Sequence, residues 1–407
     1  MSRFACGTTL IVASLFHAAA SHASGPGFSG IFATADNAET VAANPAGMVM
    51  LEGTQITLQG ALIQDFSSFK VNEDDTTVDG GNPQDATPVL APSLYYSHQY
   101  NEDWFLGFSL NIPLGFGANH GRKWAGRYYS DEFSLVYVSL NPAVAYRVND
   151  NLSLGARVRV MYTDSTVQTQ VNNSFLGRDY DDGKLETSAD GVGFGYSLHA
   201  LYAFSEDTRV GLSYNSQIST DLDSTVDFSN VRRPAGVIDR LQSQTIEIGS
   251  KVPMFAGMGV YHRMDNDWEL TLDVLWMQFS KFGATSIELS EATLDVPDDQ
   301  FNDFFVSSVG LTWPLNSRMS AAVGAFWMES PVDNDKRGFG ISLDQMMGVG
   351  AGYTYKLDNG DDYELEVNLI DTGSAPIDTG PSLVKGRVVG KSKDHYSLAI
   401  SLAYNWR

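Results

Sequence analysis

The feature that most limits what this chain can fold into is a two-residue alternation of apolar with small or polar side chains. It is clearest at the C-terminus, where Tyr396, Leu398, Ile400, Leu402, Tyr404 and Trp406 alternate with Ser397, Ala399, Ser401, Ala403 and Asn405. A β-strand sends these two sets to opposite faces. The pattern recurs in about fourteen segments, near 54–64, 90–100, 104–112, 133–147, 152–163, 191–204, 208–217, 252–263, 268–279, 304–313, 319–328, 347–356, 363–370 and 396–406. Beyond the first residues no run of about 18 uninterrupted apolar residues exists, so a membrane-spanning helix is not available.

The links between segments decide the architecture. Segments 2 and 3, 4 and 5, 6 and 7, 8 and 9, 10 and 11, and 12 and 13 are joined by a few residues rich in Asn, Asp and Glu, such as Asn149-Asp150-Asn151 and Ser205-Glu206-Asp207. These read as tight turns. The other links, such as 164–190, 217–251 and 371–395, read as long loops. Short turns alternating with long loops on an even strand count is the pattern of a bacterial outer-membrane barrel. The outward faces of the segments carry no Asp, Glu, Lys or Arg, as lipid contact requires. Trp104, Trp268, Trp313 and Trp406 at the turn ends, and Trp276 and Trp327 at the loop ends, read as two aromatic girdles. A soluble β-sandwich also alternates, but it has no need of a charge-free face in every strand.

Composition fits this reading. The net charge of −23 argues against a nucleic-acid partner, since phosphate-binding footprints are basic. Residues 1–23 have the form of an export signal, with Arg3 ahead of a short apolar run and small residues at Ala20 and Ala23. The single cysteine, Cys6, lies inside it, so the exported chain stabilises itself without disulfides. Residues 24–53 fit neither a strand nor a linker and contain Asn44-Pro45-Ala46, an Asn-Pro step that starts a turn. The expected organisation is a signal at 1–23, a plug at 24–53 and a barrel over 54–407.

The inward face is less polar than a water-filled pore should be. Leu135, Tyr137, Phe255, Leu275, Met277, Phe326 and Met328 fall at one depth in the outer half of the lumen, which points to a pocket for an apolar ligand. Packing against a plug or folded-in loops is the alternative. Arg157 and Arg159 point inward at mid-depth, where guanidinium could hold a carboxylate headgroup. Ion pairs with Asp273, Glu269, Glu364 or Glu366 would be the structural use of the same residues.

The stretch from Ser29-Gly30 through Ala35-Asp36-Asn37-Ala38 to Asn44-Pro45-Ala46-Gly47-Met48 resembles the N-terminal hatch of the FadL/TodX family of outer-membrane transporters. The resemblance continues at Pro113-Leu114-Gly115, at Trp124-Ala125-Gly126-Arg127-Tyr128, at Asn141-Pro142-Ala143-Val144-Ala145-Tyr146 and from Pro253 to Asp273-Val274. It implies an all-β, 14-stranded antiparallel transmembrane β-barrel, monomeric, with the hatch inside the lumen at Asn44, Pro45 and Ala46. It implies capture of long-chain fatty acids or similar hydrophobic molecules by extracellular loops, here 164–190 and 217–251. It also implies lateral release into the bilayer beside a kinked third strand, here at Pro113, Gly115 and Gly117. Trp124 and Arg127 then either shape the entrance or anchor their loop.

Other functions fit less well. The histidines His98, His120, His199, His262 and His395 are scattered and form no triad-like or metal-spaced motif, so neither an enzyme nor a metal or other cofactor is expected. A general porin would lack a hatch and carry a charged constriction. An adhesin or structural barrel would use the acidic loops as its working part, and transport of aromatic hydrocarbons is the variant of the family reading.

Overall fold

The computed structural model describes residues 25–84, 88–174, 180–232, 246–289, 292–296, 300–339 and 343–407. The expected export signal lies outside the described residues. The alternating segments form fourteen strands: β1 (Thr54–Asp65), β2 (Val89–Gln99), β3 (Trp104–Asn119), β4 (Glu132–Arg147), β5 (Leu152–Val171), β6 (Gly183–Ala203), β7 (Thr208–Asn215, continued by Ile218–Ser229), β8 (Ile246–Val252, continued by Phe255–Arg263), β9 (Glu269–Met277, continued by Gly283–Leu289), β10 (Phe304–Asn316), β11 (Met319–Met328), β12 (Met346–Lys356), β13 (Asp362–Asp371) and β14 (Tyr396–Trp406). Each pairs antiparallel with its sequence neighbour. β14 closes on β1 from Ile56↔Trp406 to Asp65↔Ser397, which removes the free edges an open sheet would expose. The interruptions in β7, β8 and β9 fall at 216–217, Pro253-Met254 and 278–282.

The short turns are built by the side chains that marked them. Asn149 Oδ1 accepts the amides of Asn151 and Leu152, Asn101 Oδ1 those of Asp103 and Trp104, and Ser205 Oγ those of Asp207 and Thr208. The apolar set of each strand faces outward, with Leu106, Leu154, Val158, Leu198, Val349 and Leu402 all exposed. At the turn end Trp104 packs on Tyr146 and Trp268 on Trp313, while Tyr404 lies between Tyr363 and Trp406.

Two of the expected long loops are shorter than the sequence pattern implied. β5 and β6 pair from Leu152↔Tyr202 to Val171↔Gly183, so 164–171 and 183–190 are strand. Residues 218–229 and 246–252 likewise pair as strand, while 233–245 lie outside the described residues. The reason is physical. Above the bilayer the outward face no longer needs apolar side chains, so the alternation fades while the backbone ladder continues. The boundary is marked by acidic residues side by side on five consecutive strands: Asp164 opposite Asp190, Asp190 opposite Asp223, Asp223 opposite Glu247, and Glu247 opposite Glu288. Lipid-facing charges destabilise a barrel most at the membrane midplane and little near the interfaces, so these carboxylates belong above the hydrocarbon.

Residues 25–53 lie within the ring of strands. They form a turn at Pro26–Phe28, a short helix α1 (Thr40–Ala43) and a 3-10 turn at Pro45–Met50. Asn44 organises this segment. Its Oδ1 accepts the Ala46 amide at 3.2 Å, and its Nδ2 donates to the carbonyls of Phe32 at 2.7 Å and, on the wall, Ala200 at 3.2 Å. Pro45 takes the first position of the turn, where no amide hydrogen is required. The wall makes room with glycine. A Cβ on Gly211 would lie 1.7 Å from the Phe32 oxygen, and one on Gly324 would lie 1.7 Å from the Pro26 oxygen.

Candidate functional site

The N-terminal segment is held by polar side chains from strands all around the barrel. Asp273 on β9 accepts the amides of Gly30 at 2.6 Å and Phe32 at 3.1 Å. Arg209 on β7 donates to the carbonyls of Ala33 and Thr34 while lying over the Tyr261 ring. Asn368 accepts the Gly27 amide at 2.7 Å, and Ser308 and Ser153 donate to the Phe28 and Ala46 carbonyls. The last residue joins in. Arg407 pairs with Asp362 at 2.6 Å and donates to the Asp36 carbonyl, tying the closing strand to the segment.

The segment separates two spaces of opposite character. Toward the outer membrane face is an apolar cavity, floored by Ile31, Phe32, Ala42 and Ala43 and walled by Met161, Val252, Phe255, Leu275, Met277 and Phe279. Toward the turns is a larger, polar vestibule. Ser29, Thr34, Asp36, Asn37 and Glu39 face it, together with Arg209, Glu269, Glu364, Glu366 and Arg407.

Arg157 and Arg159 both line the apolar cavity and are nearly inaccessible, but their surroundings differ. Arg157 is committed to structure: it donates to Ser197 at 3.0 Å, to Asn215 at 2.8 Å and to the Ala42 carbonyl of α1. Arg159 donates to the Ser216 carbonyl at 3.1 Å and sits 5.8 Å from the Phe255 ring centroid. Among the described residues no carboxylate lies within ion-pair distance of either. The lumen carboxylates expected to pair with them are elsewhere: Asp273 accepts amides of the N-terminal segment, and Glu269, Glu364 and Glu366 line the vestibule. A buried guanidinium without a counter-charge is costly, and a ligand carboxylate would supply what is missing.

The seven apolar candidates divide. Phe255, Leu275 and Met277 line the cavity. Tyr137, Phe326 and Met328 are fully packed in an aromatic cluster with Phe28, Phe279, Phe282, Phe301 and Phe304, and Leu135 packs against that cluster. Phe279, Phe282, Phe301 and Phe304 thus fill space beside the cavity where the sequence pattern implied an open lumen. Sequence reading missed Ile31, Phe32, Ala42, Ala43, Met161, Val252 and Phe279 as lining residues, because their convergence depends on how the N-terminal segment seats. It also missed Asn111, Ser139 and Asn141, which line the cavity where it meets β3. Asn141 bridges Ser109 at 3.0 Å and Asn111 at 3.2 Å and accepts from Ser139 at 2.8 Å.

That part of the wall is incomplete. β2 and β3 pair only from Gln99↔Phe105 to Leu94↔Leu110, although β2 continues along β1 to Val89 and β3 along β4 to Asn119. The register shift in β3 falls at Ile112-Pro113; Gly115 and Gly117 follow it in regular pairing with Val136 and Ser134. Pro113 lines the cavity at this gap.

The extracellular cap has its own core. Trp124 stands edge-on to Phe69 and Phe339 and donates to the Ser130 carbonyl at 2.8 Å, so it anchors its loop. Arg127 does the same through Asp182 at 2.8 Å. Beside them burial holds the His120 imidazole down to about 4, so this ring is neutral at ordinary pH.

A closed antiparallel barrel with a charge-free lipid-facing band and residues 25–53 seated in the lumen defines an outer-membrane channel protein with a plug. Residues 4–398 match the family described as outer membrane protein transport protein (OMPP1/FadL/TodX), and the chain belongs to that family. A long-chain fatty acid transport protein of Escherichia coli O6:H1 is 24% identical over 399 residues, covering 90% of this chain and 85% of the relative. Among solved structures, a Pseudomonas aeruginosa FadL homologue has a TM-score of 0.81 at 16% identity, covering 98% of this chain and 99% of that one. The Ralstonia pickettii toluene transporter TbuX has a TM-score of 0.67 at 15% identity, covering 94% and 96%. The protein is thus an outer-membrane transporter of this family.

Proposed function

We propose that the protein passively admits long-chain fatty acids or similar carboxylated hydrophobic molecules, which rest in the cavity above the hatch and leave sideways into the bilayer. The observation that carries this reading is Arg159, a buried guanidinium with no counter-ion among the described residues, at the edge of an apolar cavity that reaches the gap between β2 and β3. The alkyl chain lies against Phe255, Leu275 and Met277, and the carboxylate meets Arg159. Arg157 acts by holding the hatch. In this reading Asn44, Pro45 and Ala46 shape the hatch and Pro113 the exit, with Tyr137, Phe326, Met328 and Leu135 closing the outer end. No chemistry is done on the ligand, and the protein works as a monomer among outer-membrane lipids.

The hatch supports a lateral route over an axial one. Below the cavity an apolar ligand would meet the hatch and then a polar, acidic vestibule, which favours neither the chain nor the carboxylate. Uptake of labelled long-chain fatty acid and of toluene by cells lacking their own transporter tests the proposal. Fatty-acid uptake that falls with Arg159→Leu supports it. Toluene uptake alone would replace it with the aromatic-hydrocarbon reading, and uptake of neither would remove transport of either class.

A further inference from the structure

The seam between β2 and β3 carries a feature that the kink in β3 does not account for. Had the ladder continued past Leu94↔Leu110 in the same register, its next rungs would be Ser93↔Asn111, Pro92↔Ile112 and Ala91↔Pro113. Prolines therefore occupy adjacent rungs on opposite sides of the opening. Neither has an amide hydrogen, and only alternate residues of a strand turn toward a given neighbour. Even-numbered residues of β2 turn toward β3, as Tyr100 does in donating to the Trp104 carbonyl, so Pro92 removes a donor on that side. Beyond the register shift even-numbered residues of β3 turn toward β4, as His120 does in donating to the Asp131 carbonyl, which leaves Pro113 on the β2 side without a donor. The shift at Ile112-Pro113 adds a second obstacle. Asn111 pairs with inward-facing Ser139, and residue 114 pairs with inward-facing Tyr137 three positions on, so β3 changes face relative to β2 across the shift. On the β2 side the Ser93 hydroxyl is left buried without a partner.

The opening has a top as well as a bottom. Above it the Gln84 amide donates to the His120 carbonyl at 3.1 Å, and the Ala125 amide donates to the Gly81 carbonyl at 3.1 Å. These bonds clasp the loop after β1 to the loop after β3. The result is a window framed by the Leu94↔Leu110 rung below and the loop clasp above. Strand edges facing lipid must limit their unsatisfied backbone donors, because each costs several kcal/mol in hydrocarbon. A proline on each edge does this permanently.

We propose that Pro92 and Pro113 act as paired ladder stops that keep this window from zipping shut, both as positioning residues that work through the backbone without holding the ligand. The proposal rests on the sideways exit described above, and it adds Pro92 as a determinant on the strand opposite the kink. The test compares the wild-type chain with Pro92→Val, Pro113→Val and the double variant in lipid nanodiscs. Amide hydrogen exchange is read at 89–93 and 111–113, oleate affinity by equilibrium binding, and oleate transfer to acceptor vesicles by rate. In the double variant exchange at the seam should slow at least tenfold and transfer should fall at least tenfold; in Pro92→Val, whose residue does not line the cavity, affinity should stay within about twofold of wild type. Each single variant should give a smaller change of the same sign.

Unchanged exchange in the double variant overturns the proline assignment. Slowed exchange with undiminished transfer overturns the window as the exit. If the double variant fails to fold, judged by its heat-modifiable migration on gels, Pro92→Val decides by the same readouts. A wild-type protein that binds and transfers no oleate would refute the proposed substrate, while the exchange comparison would still decide what the prolines do.

Discussion

The cavity and the vestibule are two halves of one lumen, lined by the same strands and divided by the same N-terminal segment, yet they are chemically opposite. The cavity is apolar, holds two arginines and reaches an incomplete wall; the vestibule is larger, polar and acidic. The hatch makes this difference by facing Ile31, Phe32, Ala42 and Ala43 one way and Ser29, Thr34, Asp36, Asn37 and Glu39 the other. A barrel strand can give only one inward face. A folded segment inside the barrel adds a two-sided partition, so an apolar binding space can exist within a few ångströms of periplasmic water.

The comparison breaks most completely if the partition is released. Replacing Asp273 and Arg209 together by Ala removes the bonds to Gly30, Phe32, Ala33 and Thr34, and the two spaces should join. Single-channel recording in planar bilayers should then show potassium chloride conductance at least tenfold above wild type. Conductance at the wild-type level would mean that these anchors do not hold the partition.

A second prediction separates the two arginines. Arg159→Leu should weaken a long-chain carboxylate by at least tenfold, since a hydrogen bond to a charged group contributes about 1.5 to 3 kcal/mol. The methyl ester of the same acid should be unaffected. Arg157→Leu, in contrast, should raise conductance by loosening α1 at Ala42. Isothermal titration with acid and ester, read beside the conductance, distinguishes the roles.

Phe255→Ala sharpens the cavity side alone. It should lower affinity for acid and ester alike by about 1 to 3 kcal/mol, the usual scale for removing a large buried apolar contact, with conductance unchanged. Equal weakening of both ligands is the diagnostic, because the loss is in the chain-binding wall and not in the headgroup contact.

The smallest effect belongs outside the lumen. His120 is neutral when buried in the cap, with its affinity for a proton held down to about 4. An exposed imidazole takes up its proton near 6.5, so between these values the opened cap binds more protons than the closed one. The stabilisation is complete above about pH 6.5 and is lost as pH falls toward 4, by about 1 kcal/mol at pH 5.5. Hydrogen exchange of 120–131 should therefore quicken at pH 5.5 relative to pH 7.5, and His120→Gln should remove this pH dependence.

Much of the architecture was legible because lipid imposes a local rule. Every strand that touches hydrocarbon must show an apolar side chain at every second position, so Leu398, Ile400 and Leu402 announce their strand wherever their neighbours lie. Where lipid ends, the rule lapses, and for that reason 164–171 and 183–190 read as loop although they are strand. The site was less legible. Arg157 and Arg159 have the same residue type, face and strand, yet one is saturated by Ser197, Asn215 and Ala42 and the other is not. Pro92 also passed unnoticed, since a proline in an alternating segment acquires meaning only beside its partner on the facing strand.

By itself the sequence determined the class of environment, the number of membrane-crossing strands, their inward and outward faces and the turns between them. Each of these depends on residues adjacent in the chain and on a solvent that changes abruptly from water to lipid. Only the tertiary structure decided where the N-terminal segment seats, which arginine is taken up by hydrogen bonds to the protein, which apolar residues line space and which fill it, and where the wall fails to close. Those features arise from contacts between residues hundreds of positions apart, such as Gly27 with Asn368 and Gly30 with Asp273. No local periodicity encodes such meetings.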